Sequence, residues 1–321
     1  MKNRSVEKKA APRSKGGKRA AVKGLFLDER NALRRWARLL VALAAILAAA
    51  WGVPQGMTWL FGRLFTAWGV TADTVARAPG WTQALYGGWV YVNGFLQGAA
   101  IALAAVLSGR ALGVPVKIGK GLVSGLLLGL AAALAMPGLF LLLDVMRFGR
   151  ALTSPVLTAL TPMLMMYVLL QALGAALATD LVGGILSGWH RRWALAGCAA
   201  FYALLFGRWT PIALINGALF GVFLWLAREK KGGIAPALGF LAIFSFLTVT
   251  VLGVPPWQQG ALYEFYPVSK PWLTGGDAGP WAGLFMTAVL VLLTLARALP
   301  NRKTTADAPL RPAIPRPAGK S

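Results

Sequence analysis

Charged residues, acids, cysteine and histidine are all scarce in this sequence. Only 13% of its 321 residues are charged, compared with ~25% in soluble proteins. A single cysteine (Cys198) and a single histidine (His190) exclude an internal disulfide framework and a metal site built from several thiolates or imidazoles. The sequence also lacks a phosphate-binding loop of the G-x-x-x-x-G-K type. We therefore predict no metal, no cofactor and no soluble globular fold.

Hydrophobic residues dominate what is present. They make up 57% of the chain, and several uncharged stretches of about 20 residues are long enough to cross a hydrocarbon core as helices. The predicted fold class is all-α, a polytopic membrane helix bundle with about eight transmembrane helices. Pro54 interrupts the first of them, and residues 62–88 are predicted to lie partly in the interface. The predicted spans are residues 37–61, 89–108, 122–143, 156–179, 193–206, 211–227, 234–254 and 281–299.

Basic residues are concentrated near the termini and on alternate loops. The formal charge is +23. Residues 1–36 form a basic tail and residues 300–321 a Pro-rich tail, both predicted to be disordered, and residues 37–299 form the predicted transmembrane domain. The positive-inside rule then places both termini in the cytoplasm. The basic tail is predicted either to fix this topology or to attract anionic headgroups of the lipid bilayer, whereas nucleic acid is not an expected partner.

A few uncharged polar residues interrupt the predicted spans. Asn93 and Gln97 lie one helical turn apart in the second span, so they are expected to face the same side, and Gln171 lies in the fourth. Hydrogen bonds between helices would explain such residues, and so would the lining of a polar binding pocket. Both interpretations stay open for Gln171, Thr210 and Asn216.

Short motifs containing Gly, Pro and basic residues follow one another in the second half of the chain. They are residues 184–186 (Gly-Ile-Leu), 190–192 (His-Arg-Arg), 206–207 (Phe-Gly), 232–239 and 273–280. In the order of these motifs, the segment 170–299 resembles the CAAX-protease and bacteriocin-processing family of intramembrane endopeptidases. The resemblance implies a helical fold in the plasma membrane of a bacterium. It also implies an acidic pair and histidines that activate a water for peptide hydrolysis.

The catalytic residues of that family are missing from the matching positions. Asp180 is the only acid nearby, and a slip of one residue would place it with Thr179 on the acidic pair. No catalytic residue is therefore expected. The equivalents of the family site are Ala178 and Thr179 for two glutamates, Gly183 for an arginine, Thr210 and Leu241 for two histidines, and Ser245 for an asparagine.

Three functional hypotheses follow from this pattern. The first is a catalytically silent relative of these endopeptidases with a binding or scaffold role, whose partner is a membrane protein or a peptide. The second is an active intramembrane endopeptidase with a rearranged site that uses Asp180 and His190. The third is a small transporter or permease subunit, although no inverted repeat is visible in the sequence. The first hypothesis predicts one shared cavity lined by Ala178, Thr179, Thr210, Leu241 and Ser245.

Overall fold

The long apolar stretches of this chain fold as helices, as the sequence predicts. The structure is a computed structural model that describes Leu27 and residues 33–149, 155–206, 210–254 and 261–299, and it is mostly helical (79%). The C-terminal tail and nearly all of the predicted N-terminal tail lie outside these residues. Residues 207–209, between the fifth and sixth predicted spans, lie outside them too.

Ten α-helices and two short strands follow one another in these residues. Their bounds are α1 Arg35–Leu47, α2 Val53–Ala67, α3 Gly80–Ala111, α4 Leu122–Leu142, β1 Met146–Phe148, α5 Pro155–Ser187, α6 Arg191–Phe206, α7 Pro211–Lys231, α8 Ala235–Ser245, β2 Phe265–Pro267, α9 Pro271–Thr274 and α10 Leu284–Ala298. A π-helical turn at Ala48–Gly52 joins α1 to α2, and another at Phe246–Val251 extends α8.

Five of these helical segments are long and apolar enough to cross a membrane. They are Arg35–Ala67, Gly80–Ala111, Leu122–Leu142, Leu160–Ser187 and Pro211–Lys230. Two further apolar helices, Ala235–Val251 and Leu284–Ala298, are shorter, and α6 has 16 residues. Each of the eight predicted spans contains a helix, but the number that cross the membrane stays a prediction.

The first helical segment continues through Pro54 and ends at Ala67, beyond the predicted end at residue 61. Proline lacks an N–H, so residue 54 cannot donate the α-helical hydrogen bond to the carbonyl oxygen of Ala50. The chain forms the π turn Ala48–Gly52 at this point and then continues as α2 to Ala67. Residues 62–88 accordingly contain the end of α2, a 3₁₀ turn at Val75–Arg77 and the start of α3.

A small β-structure departs from the all-α prediction. Strand β1 pairs antiparallel with β2, and Arg147 lies opposite Tyr266. Both strands lie outside the apolar helices, where the backbone must find partners other than those of a helix. The pair ties the turn after α4 to the aromatic loop before α10.

Helix α5 occupies the centre of the bundle. One apolar cluster combines it with α4, α7, α8 and α10, and a second combines it with α1, α3 and α6. Glycines bring α3 and α5 close together: a Cβ at Gly98 would lie 2.5 Å from the Leu170 carbonyl carbon, and one at Gly174 would lie 2.7 Å from the Gly98 carbonyl oxygen. Small residues permit this approach where apolar lipid gives no hydrophobic drive for helix association.

Basic side chains gather at one end of the bundle, which we call the basic end. Helices α1, α4, α6 and α8 begin there, and α3, α5, α7 and α10 finish there. Hydrogen bonds across it join Arg38 to the Leu112 carbonyl at 3.3 Å and Lys230 to the Leu299 carbonyl at 2.6 Å. The described residues of this end include Arg34, Arg35, Arg38, Arg110, Lys117, Lys120, Arg191, Arg192, Arg228, Lys230 and Arg297. This asymmetry is the pattern on which the predicted orientation rests.

Candidate functional site

A buried ion pair lies near the basic end, between α5 and α7. Arg228 donates a hydrogen bond through Nε to the carboxylate of Asp180. The Asp180 side chain is only 2% exposed, and the Arg228 side chain is 20% exposed. The backbone of Lys117, in the loop between α3 and α4, lies near this carboxylate. The acid is thus neutralised by its ion pair with Arg228.

The Trp225 ring supports the Arg228 side chain where it reaches Asp180. The Arg228 guanidinium lies 4.7 Å from the centre of the Trp225 ring, three residues earlier on the same face of α7. The Trp225 ring needs the space beside Gly183, where a Cβ would lie 2.5 Å from Trp225 Cζ3 and 2.6 Å from Cys198 Sγ. Gly183 therefore admits the ring, and Trp225 in turn supports the guanidinium.

A small cavity adjoins the ion pair. It is lined by Thr179, Asp180, Trp225, Arg228 and Ala237 together with three aliphatic side chains, and its volume of about 10 Å³ is room for one water molecule. The indole N–H of Trp225 is buried and has no hydrogen-bond partner among the described residues. The cavity is too small for a peptide.

Of the residues equivalent to the family site, Thr179 is the one that borders the cavity beside Asp180. Ala178 and Leu241 are buried in different apolar clusters. Thr210 is exposed at the start of α7, where its hydroxyl accepts a 3.4 Å hydrogen bond from the Ala213 N–H. Thr210 lies about 27 Å along the helix from Arg228.

Gly183 and Ser245 complete this set, and neither contributes a functional group to the ion pair. Ser245 is half-buried at the last residue of α8. His190 lies in the exposed turn between α5 and α6, where its Nδ1 accepts a 3.2 Å hydrogen bond from the Arg192 N–H. Within the described ranges, no group of three or more His, Cys, Asp or Glu residues could hold a metal ion.

A second polar site lies deeper in the bundle, between α1, α3 and α5. Gln171 Nε2 donates hydrogen bonds of 2.7 Å both to Gln97 Oε1 and to the Gly94 carbonyl oxygen. Gln97 Nε2 donates one of 2.6 Å to the carbonyl oxygen of Ala50. This is the carbonyl that Pro54 leaves without an α-helical donor, so the Gln97 side chain replaces the missing N–H.

The two glutamines face a pocket of about 180 Å³, which we call the glutamine pocket. Its other lining residues are Ala50, Trp51, Ile101, Tyr167 and Leu205. The sequence predicted that Asn93 and Gln97 share a face, and both indeed reach the first helical segment. Asn93 Nδ2 lies 3.4 Å from the Pro54 carbonyl oxygen. The pairing of Gln97 with Gln171 was not predicted, because residues 74 positions apart give no periodic signal.

An apolar groove of about 610 Å³ opens beside the glutamine pocket, between α1, α5 and α6. Leu39, Leu43 and Leu47 line it on α1, and Ala200 and Leu204 line it on α6. We call it the lateral groove. Trp51 and Leu205 border both the groove and the glutamine pocket, so the two spaces adjoin.

Comparison of the chain with protein-family models, curated proteins and solved structures gives no match. The resemblance to CAAX-type endopeptidases therefore stays a prediction of the sequence.

Proposed function

We propose that this protein is a multi-pass protein of the bacterial plasma membrane that binds a hydrophobic partner and does not hydrolyse peptide bonds. The Asp180–Arg228 ion pair is the observation that supports the absence of peptide hydrolysis. A carboxylate acts as a general base only when it can reach the proton of a water next to the scissile carbonyl. Here the carboxylate is engaged by a guanidinium, beside a cavity for one water.

The lateral groove and the glutamine pocket support the binding role. Polar side chains at membrane depth are costly unless they are paired or serve a ligand. Gln97 and Gln171 are only half-buried and border a space large enough for a small chemical group. Within the proposal, the likeness to CAAX-type endopeptidases reflects a shared scaffold whose catalytic residues have been replaced. The basic end faces the cytoplasm in this proposal.

Hydrolysis can be tested with purified protein in lipid nanodiscs and a quenched fluorescent CAAX-type peptide. We expect no turnover by the wild type or by Asp180→Asn. Asp144→Asn is the matched control, because Asp144 is an exposed acid at the opposite end of the bundle. Turnover that Asp180→Asn abolishes and Asp144→Asn preserves would identify an active endopeptidase that uses Asp180. Equal turnover in all three proteins would also contradict the proposal, while removing Asp180 from the mechanism.

A further inference from the structure

The glutamine pocket falls inside the hydrocarbon core when the basic end marks one headgroup region. Gln97 is about 20 Å along α3 from Arg110, and Ala50 is about 18 Å along the first helical segment from Arg38. A hydrocarbon core is ~30 Å thick, so both residues then lie roughly 10 Å or more from either of its boundaries. Bulk water is absent at this depth, and a ligand can supply the hydrogen bonds that water would otherwise make.

The hydrogen bonds of the two glutamines define what the pocket can recognise. Both N–H groups of Gln171 Nε2 are committed, to Gly94 and Gln97, whereas Gln97 Nε2 commits one of its two N–H groups, to Ala50. Gln171 Oε1 accepts no hydrogen bond from the residues that the structure describes, yet it is not among their buried unsatisfied atoms. An amide oxygen with accessible lone pairs is an acceptor. The complementary ligand group therefore donates a hydrogen bond to Gln171 and can accept one from the remaining N–H of Gln97.

The charge of the lining residues further limits the chemical class of the ligand. Among the described residues, no Asp, Glu, Lys, Arg or His lines the glutamine pocket or the lateral groove. An ionised group would be costly here without a counter-charge. The donor is accordingly neutral, as in an alcohol or a carboxamide.

The lateral groove is long enough and apolar enough for a hydrocarbon chain. From Leu39 to Trp51 it runs about 18 Å along the first helical segment. Its volume is about 610 Å³, and every residue that lines it is apolar. The groove is also open to lipid, because Trp51 is 69% exposed and Leu204 57% exposed.

We propose that the lateral groove and the glutamine pocket form one site for a single-chain amphiphile, whose chain occupies the groove and whose neutral alcohol or amide group donates a hydrogen bond to Gln171. This inference rests on the proposed binding role and names its ligand class. Trp51 and Leu205 lie where the chain joins the polar group.

Photolabelling of the full chain in nanodiscs tests the site, with a hexadecanol that carries a diazirine in its chain. We expect labelled peptides from α1 and α6 and efficient competition by hexadecanol. Hexadecyl methyl ether, which keeps the oxygen but cannot donate, should compete about tenfold more weakly because one hydrogen bond is lost. Palmitate should also compete about tenfold more weakly, since its charge is unpaired in the site.

Two substitutions test separately the polar contact at Gln171 and the hydrocarbon contact in the lateral groove. Gln171→Leu should lower labelling about tenfold. Ala200→Trp should abolish it by filling the groove, and because Ala200 is exposed this change disturbs no buried packing. Ala196→Trp is the control, an exposed alanine one turn earlier that does not line the groove.

Equal labelling of the wild type, Gln171→Leu and Ala200→Trp would overturn the proposal, since it would mean partition into bulk lipid. Equal competition by the alcohol and its methyl ether would remove the donor requirement and with it the assigned ligand class. Disulfide-linked dimers of Ala200→Cys would show that a second copy fills the groove instead. None of these results depends on whether the protein cleaves a peptide, so failure here is distinguishable from failure of the non-hydrolytic proposal.

Discussion

Arg228 on α7 is ion-paired with Asp180 on α5, and the indole of Trp225 covers the same guanidinium. The contact joins residues 48 positions apart in the sequence. It connects the central helix of the bundle to the helix whose end carries the basic loop at 228–231. The pair therefore belongs to the framework of the basic end.

Breaking the Asp180–Arg228 ion pair should lower the stability of the folded protein. Arg228→Met leaves the Asp180 carboxylate buried without its partner, which we expect to lower the free energy of unfolding by about 3–5 kcal/mol. The double substitution Asp180→Leu with Arg228→Met should recover most of that loss, because no charge then remains to be desolvated. Reversible unfolding in a denaturing detergent measures both values.

The exposed pair of Arg191 and Glu229 is the control, with side chains 57% and 38% exposed. Arg191→Met should cost about 0–1 kcal/mol. If Arg228→Met costs no more than this, the buried pair does not stabilise the bundle as described.

Gly183 should tolerate no side chain. A Cβ there meets both the Trp225 ring and Cys198 Sγ, so Gly183→Ala is expected to lower the melting temperature through overpacking worth about 1–3 kcal/mol. Gly138→Ala on α4 is the matched control, since its Cβ would contact nothing within 4 Å. That change should leave the melting temperature equal or slightly raised. Equal effects of the two substitutions would contradict the close fit of Trp225.

Gln97 and Pro54 should be energetically coupled through the carbonyl oxygen of Ala50. Gln97→Leu removes the 2.6 Å hydrogen bond to that oxygen and should cost about 1–3 kcal/mol, the penalty for an unsatisfied buried group. Pro54→Ala restores a backbone N–H that can serve the same oxygen. The double variant should therefore lose less stability than Gln97→Leu in an otherwise unchanged chain. Strict additivity in this double-mutant cycle would refute the coupling.

The fifth predicted span can be tested by labelling either side of it. His190 and Thr210 are both exposed and lie before and after α6, while the native Cys198 is buried and should not react. In intact cells, a membrane-impermeant maleimide should label Thr210→Cys and not His190→Cys, because the basic end is expected in the cytoplasm. After lysis both should react. Labelling of both positions from the same side would show that α6 does not cross.

Much of the helical layout could be predicted from hydropathy, but several boundaries could not. The predicted fourth span ends at residue 179, whereas α5 continues to Ser187. The predicted span stops before the acid at position 180, and the ion pair with Arg228 neutralises that acid within the continuing helix. Likewise Pro54 was expected to interrupt a span, and the side chain of Gln97 from another helix permits the continuation.

The candidate sites were visible in the sequence only as isolated residues. Asp180 was recognised as the one acid near the resemblance, and Gln97 and Gln171 as polar residues inside predicted spans. Arg228 and Trp225 carry no sequence signal that places them beside Asp180. Nothing in the spacing of these residues reveals which of them meet.

The sequence by itself determined that this protein is helical and apolar and that its basic residues lie on alternate loops. With one cysteine and one histidine, it also excluded a metal site built from several thiolates or imidazoles. Chain-local hydropathy and charge set all of these properties. Only the tertiary structure decided that Asp180 meets Arg228 and that Gln97 meets Gln171. The physical reason is that helices such as α5 carry apolar residues on every face, so no amphipathic stripe fixes their rotation. That rotation is set by contacts between helices at glycines. At Gly98 the backbone of α5 approaches α3, and at Gly183 the Trp225 side chain of α7 fits against α5.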